Sequence, residues 1–257
     1  MSASTSSPGV HTKQDAGVVR ITLNRPARHN ALEAEDVERL KDALASATAR
    51  PAARVVVLTG SGDETFCSGA SLDQMASGDM SGALFDTLTD RLARLPLPTV
   101  ARVNGSVYGG GVELALCCDF RIGVRGSRLR VPAARLGVCY PPGGLRRYLG
   151  RLGLGAASRI LLAAEELDAD EMLRIGYLTH LVDRADLDPQ VQLLTDRIAT
   201  LAPLAVRNMK RILMDLSESR LDPEEAERLV EECSESRDIR EGLEAWREGR
   251  TPDFRGR

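Results

Sequence analysis

Few side chains in this 257-residue chain are suited to nucleophilic, redox or metal chemistry. There are three histidines, His11, His29 and His180, and five cysteines without C-x-x-C spacing, two of them adjacent at Cys117 and Cys118. That set argues against His-rich metal ligation, a zinc cluster or a disulfide framework, and predicts reduced, mostly buried thiols and no metal site. The patterns G-x-x-x-x-G-K-[ST], H-E-x-x-H and G-x-S-x-G do not occur, so P-loop, zincin and nucleophile-elbow chemistries lack their starting residues. Residues 153–158 (GLGAAS) imitate a dinucleotide fingerprint, but they follow a helix-like run at 146–151 and Ser158 replaces the third glycine. Carboxylates, backbone amides and tyrosine are left to do chemistry.

Two segments concentrate small residues where a backbone must bend, 66–72 (FCSGASL) and 104–115 (NGSVYGGGVELA). Glycines there let a ligand approach the main chain, and a helix opening at Gly110 or Gly111 presents unpaired amides, the beginnings of an anion or oxyanion site. Glu113 follows three residues after Gly110, which puts a carboxylate in the first turn of that helix, next to the bound group.

The surrounding pattern predicts the scaffold. Residues 18–24, 54–59, 99–104 and 120–124 read as strands. Helical spacing at Val37, Leu40 and Leu44, and again at Leu84, Leu88, Leu92 and Leu95, separates them, which predicts an α/β architecture of layered sheets. Beyond about residue 143 strands nearly vanish, and helices are expected around 155–164, 168–175, 189–201, 203–216 and 223–234. Apolar positions Leu221, Leu229, Val230, Ile239, Leu243 and Trp246 must be covered by the chain itself or by a second copy.

Composition narrows the partners. A balance of 34 Lys+Arg against 37 Asp+Glu gives −3, without the basic excess that nucleic-acid binding needs. No apolar run approaches a membrane span. Residues 1–15 lack the apolar core of a secretory signal and the arginines of a transit peptide. They are expected to form a disordered tail, set at 1–14, and a cytoplasmic address follows.

With 23–26 (LNRP) and 30–32 (NAL), the two glycine-bearing segments resemble the crotonase family, also called the enoyl-CoA hydratase/isomerase superfamily, whose blocks run L-N-R-P-x-x-x-N-A-L, F-x-A-G-A-D-L and N-G-x-x-x-G-G-G-x-E-L. Residues 241–247 (EGLEAWR) and 250–256 (RTPDFRG) are similar to that family's ending. The resemblance implies a spiral of repeated β-β-α units over 15–195 that binds acyl-CoA, and a C-terminal helical trimerisation region at 196–257. Homotrimers or hexamers are the expected assemblies. It implies no cofactor beyond the coenzyme A carried by the substrate.

By motif position, the backbone N–H groups of Ala70 and Gly110 would form an oxyanion hole for the thioester and steady an enolate intermediate. One such donor is typically worth roughly 3 to 4 kcal/mol. Ala31, Ser68 and Leu72 fall where the family contacts substrate, and Arg25, Arg28 and Arg151 are candidates for the CoA phosphates. Ser71 and Asp73 depart from the family's G-A-D-[LI]-K. Glu113 matches the first hydratase glutamate, the acid/base. The second is replaced by Ala133 in 132–137 (PAARLG), which argues against two-glutamate hydration. Tyr140 resembles in position the active-site tyrosine of methylmalonyl-CoA decarboxylases in this family, although their histidine after the first glycine is Ala70 here. A hydratase/isomerase-type enzyme using Glu113, a decarboxylase-like enzyme using Tyr140 and a non-catalytic acyl-CoA-binding protein are the readings left open, with the acyl pocket expected in 75–95.

Overall fold

Buried β-branched runs alternating with amphipathic helices build two sheets. The computed structural model describes residues 9–257. The chain begins with β1 (Val10–Asp15) and β2 (Val18–Leu23), then α1 (Ala34–Thr48), β3 (Val55–Gly60) and β4 (Thr65–Cys67). Next come α2 (Leu72–Ser77), α3 (Gly82–Ala93), β5 (Thr99–Val103), β6 (Ser106–Tyr108), α4 (Gly110–Leu116), β7 (Phe120–Val124) and β8 (Arg128–Arg130). The remainder is α5 (Pro142–Leu161), β9 (Leu167–Asp168), α6 (Ala169–Arg174), β10 (His180–Val182), α7 (Leu187–Ala199), α8 (Pro203–Ser217), α9 (Pro223–Glu235) and α10 (Arg237–Glu248).

The larger sheet has the order β1-β2-β3-β5-β7-β10 and the smaller β4-β6-β8-β9. Each consecutive pair, β3/β4, β5/β6 and β7/β8, sends its first strand to the larger sheet and its second to the smaller, so the chain winds as a spiral of repeating turns. Pairing is parallel except at β1–β2 and β8–β9. All six residues of β3 are buried because both its faces are covered. Val56 and Leu58 pack into the main core, whereas Val55 and Val57 meet Val191, Leu194 and Ile198 of α7. Two motif asparagines brace the turns from within. Asn30 Nδ2 donates to Thr65 O at 2.7 Å, and Asn104 Oδ1 accepts from Gly60 N at 3.0 Å.

Two boundaries differ from the sequence reading. The expected tail at 1–14 is in part a strand: β1 pairs antiparallel with β2 along its whole length, from Val10 opposite Leu23 to Asp15 opposite Val18. Backbone pairing, invisible in a polar stretch such as VHTKQD, supplies the order. Residues 1–8 lie outside the described residues. The division at 195/196 falls inside α7, whose apolar face closes the larger sheet.

The helix α8 is fastened to the sheet by charge. Lys210 Nζ lies 2.7 Å from Asp119 Oδ2 and donates to Leu97 O at 2.9 Å, and both side chains are largely shielded from water. No helix among the described residues is long and apolar enough to cross a membrane. Lys210→Met leaves Asp119 without its cation, although Thr99 N still donates to that carboxylate at 2.8 Å. Urea unfolding is expected to show a loss of about 3 kcal/mol, and an unchanged midpoint would remove the pair from its anchoring role.

Candidate active site

The site is assembled where the segment after β4 meets the start of α4. Leu32 and Ala70 form an isolated parallel bridge, in which Leu32 N donates to Gly69 O and Ser71 N donates to Leu32 O, both at 2.8 Å. In a parallel bridge the residue flanked by the two bonds, here Ala70, directs its own N–H to its other side. The Ala70 amide therefore turns away from Leu32. Gly69, at φ +89°, lies so close to α4 that a Cβ built on it would stand 2.4 Å from Gly110 N. Only glycine combines that dihedral with that approach. Gly109 precedes α4 at φ 49° and ψ −128°, and Gly110, the first helical residue, has an amide with no acceptor within its own helix.

Ala70 and Gly110 line one cavity of about 310 Å³. Leu72, Met75, Phe85, Leu136 and Val138 give it an apolar wall, and Ser68 also borders it. The expected pocket stretch 75–95 thus does supply wall residues, and Ala70, Gly110, Glu113, Tyr140, Ser68 and Leu72 come together around one space. Ala31 is absent from this wall. The NAL segment instead turns Asn30 inward, and Leu32 carries the bridge to Ala70.

Glu113 reaches the cavity from α4 and is only 2% exposed. Its Oε1 accepts two hydrogen bonds from one guanidinium, Arg147 Nε at 3.1 Å and Nη2 at 2.7 Å. Arg147, in α5, is held in turn by α3: Nη1 donates to Asp90 Oδ1 at 2.6 Å, and Nη2 to Asp86 Oδ1 at 2.8 Å and Thr89 Oγ1 at 2.7 Å. Burial pushes the Glu113 carboxyl above its ordinary value of 4.5, while the adjacent guanidinium opposes that rise.

Tyr140 closes the side near α5. Its ring meets Tyr148 edge-on, with centroids 5.8 Å apart at 84°. Burial, reinforced by the Glu113 charge, keeps the Tyr140 phenol protonated well beyond its usual range. A Cβ built on Gly144 would lie 3.1 Å from both Glu113 oxygens and 3.1 Å from Tyr140 Cδ1, which brings these two groups close together beside one glycine. Ala133 opens a short 3-10 turn, Ala133–Leu136, and is buried against the same cavity.

Other expectations are redistributed. Arg25 is engaged by Asp36 at 2.8 Å and Glu33 at 3.0 Å, and Arg28 lies within 3.8 Å of Asp73 at the surface. Arg151 borders a separate cavity between α5 and α8. Residues 153–158 lie inside α5, with Gly153 at φ 73° breaking it. Of the thiols, Cys67, Cys117 and Cys118 are buried, Cys233 is half-buried and Cys139 is exposed at the cavity rim. Sequence reasoning missed Arg147, Asp86, Thr89 and Asp90. For the three α3 residues the available signal was spacing, since positions 86, 89 and 90 share one face of that helix.

Comparison with known proteins places this architecture. The enoyl-CoA hydratase/isomerase family model matches residues 13–257, and the chain belongs to that family. It is 34% identical over 240 residues to a crotonyl-CoA hydratase of Syntrophomonas wolfei, covering 90% of this chain and 92% of that protein. It is likewise 34% identical over 246 residues to a 2,3-dehydroadipyl-CoA hydratase of Escherichia coli, covering 93% and 96% respectively. The crystal structure of an enoyl-CoA hydratase from Bacillus anthracis superposes with a TM-score of 0.88 at 29% identity, over 97% of this chain and 100% of that one.

Gly69→Ala adds a side chain at a positive φ and against the Gly110 amide. It should lower the unfolding free energy by about 2 kcal/mol or more, measured by thermal or urea denaturation. A neutral substitution would mean that the two backbones can separate freely.

Proposed function

We propose that this protein is an acyl-CoA enzyme that moves a proton along the acyl chain through a thioester enolate, with Glu113 as its single carboxylate acid/base. The observation that carries this reading is the meeting of Ala70 and Gly110 at one cavity that also holds the buried Glu113. Two backbone donors directed at the thioester oxygen stabilise the negative charge that develops there when a proton leaves the adjacent carbon. The lost proton goes to Glu113. If the same carboxylate returns it two carbons further along, a 3-enoyl thioester becomes a 2-enoyl thioester, and no second acid is needed.

Hydration asks for more, because a water must be both activated and split. Where the resemblance expects the second acid, Ala133 lines the cavity together with Leu136 and Val138, which favours the double-bond shift. The names of the relatives point to enoyl-CoA hydration, so both reactions belong in the test. Decarboxylation through Tyr140 fits less well. Asp86, Asp90 and Glu113 surround one guanidinium, an excess of negative charge that opposes a substrate carboxylate.

With 3-enoyl-CoA and 2-enoyl-CoA offered separately, isomerisation should be the faster reaction. Glu113→Gln should lower it at least ~100-fold while acyl-CoA affinity stays nearly intact. Because the carboxylate must be ionised to accept the proton, the rate should fall as pH drops through an inflection above 4.5, the direction in which burial moves Glu113. Ala133→Glu should raise hydration. Tight binding with no turnover on either thioester would instead identify a carrier, and an unaltered rate in Glu113→Gln would remove Glu113 from its role.

The helical C-terminal region supports self-association. Val230, Leu243 and Trp246 of α9 and α10 are exposed, Trp246 by 80%, and the apolar stripe they form is left without cover in the single chain. Light scattering of the purified protein should give the mass of three or six chains, and the mass of one chain would overturn this assignment.

A further inference from the structure

The grip of Arg147 on Glu113 is asymmetric. Both guanidinium contacts, from Nε and Nη2, fall on Oε1, so Oε2 receives neither of them. The guanidinium cannot follow the carboxylate, because Asp90 and Asp86 of α3 hold its two outer nitrogens and Thr89 takes a further N–H. An arginine tethered on one side by three groups of a packed helix forms a rigid fork, and its remaining N–H bonds fix the orientation of whatever it binds.

We propose that Arg147 is the positioning residue of this site: it holds Glu113 ionised inside an apolar cavity, clamps Oε1, and thereby presents Oε2 to the carbon next to the thioester. This rests on the reading of Glu113 as the base and adds how that base is kept charged and aimed. A buried carboxylate without a cation takes up a proton and can no longer accept one from substrate. The groups facing Glu113 are Asp86 and Thr89 from α3, Arg147 and Tyr148 from α5, Tyr140 from the preceding loop and Cys117 at the end of its own helix, with Asp90 of α3 on the far nitrogen of Arg147. Among them Arg147 is the only cation and Asp86 a nearby like charge. Removing either one therefore moves Glu113 in opposite directions.

Three variants of the full chain test the proposal: Arg147→Met, Arg147→Lys and Asp86→Asn. Two measurements are made on each, the pH profile of kcat with 3-enoyl-CoA and the titration of the Glu113 side-chain carboxyl by carbon-13 NMR, its signal identified with Glu113→Gln. For Arg147→Met, kcat at neutral pH should drop ~100-fold and recover as pH rises, with the carboxyl titration moved up by about one pH unit or more and KM changed little. Arg147→Lys keeps the charge but loses the two-pronged hold, so its titration should stay near that of the parent while kcat is reduced. It also serves as the readable variant should Arg147→Met not fold. Asp86→Asn should move the titration downward.

A carboxyl titration that is the same in the parent, in Arg147→Lys, in Asp86→Asn and in any folded Arg147→Met overturns the proposal. So does a KM rise that accounts for the whole loss in Arg147→Lys. Titrations that move as described, with turnover indifferent to them and to Glu113→Gln, would uphold the hold of Arg147 on Glu113 and overturn only the reading of Glu113 as the base.

Discussion

The close passage of two backbones, Gly69 against Gly110, is the contact on which the rest of the site depends. A Cβ at Gly69 would stand 2.4 Å from the Gly110 nitrogen, so this junction exists only where the chain carries no side chain. It brings together Ala70 and Gly110, from segments forty residues apart, at the wall of one cavity. Main-chain donors in such a place cost little reorganisation when charge develops, because sheet and helix already fix their direction. The spiral serves the same end: β4 and β6, successive strands of the smaller sheet, pair in parallel and deliver the two segments side by side.

The charge arrangement behind that junction is built with similar economy. One guanidinium, Arg147, meets the carboxylates of Glu113, Asp86 and Asp90, and those four groups tie α3, α4 and α5 into one unit. Burying a carboxylate in an apolar cavity is costly unless a partner compensates it. Here the partner is recruited from a helix that begins on the far side of the Tyr140 loop. Ala133, Leu136 and Val138 line the same cavity, so a buried charged pair and apolar side chains share one space. On the proposed reading, that lining suits a one-carboxylate proton transfer better than chemistry that splits water between two acids.

The family blocks were legible as text because their constraints are local. Glycine where φ is positive, glutamate one turn into a helix and proline closing a strand each leave a mark in a short stretch of chain. Gly69, Gly109 and Glu113 are of this kind, and the strand Phe120–Val124 emerges at the residues its composition predicts. The strand Val10–Asp15 is not, since its order comes from hydrogen bonds to β2 and not from an apolar pattern. Ala31 does not line the cavity, and the neighbouring Asn30 serves as an internal brace.

The family resemblance supplied the spiral and the expectation of a second acid where Ala133 stands. The sequence by itself determined the two bending segments, the carboxylate beside them and the alternation of an α/β chain. All of these follow from residue type and spacing along a single stretch. Only the tertiary structure decided which cation meets Glu113. Arg147 stands among several arginines on α5, and nothing in the string separates it from Arg146 or Arg151 until helix packing turns one of them inward against Asp86, Asp90 and Glu113. Pairing between charges thirty-four residues and more apart is a property of how helices cross, and the sequence carries no local signature of it.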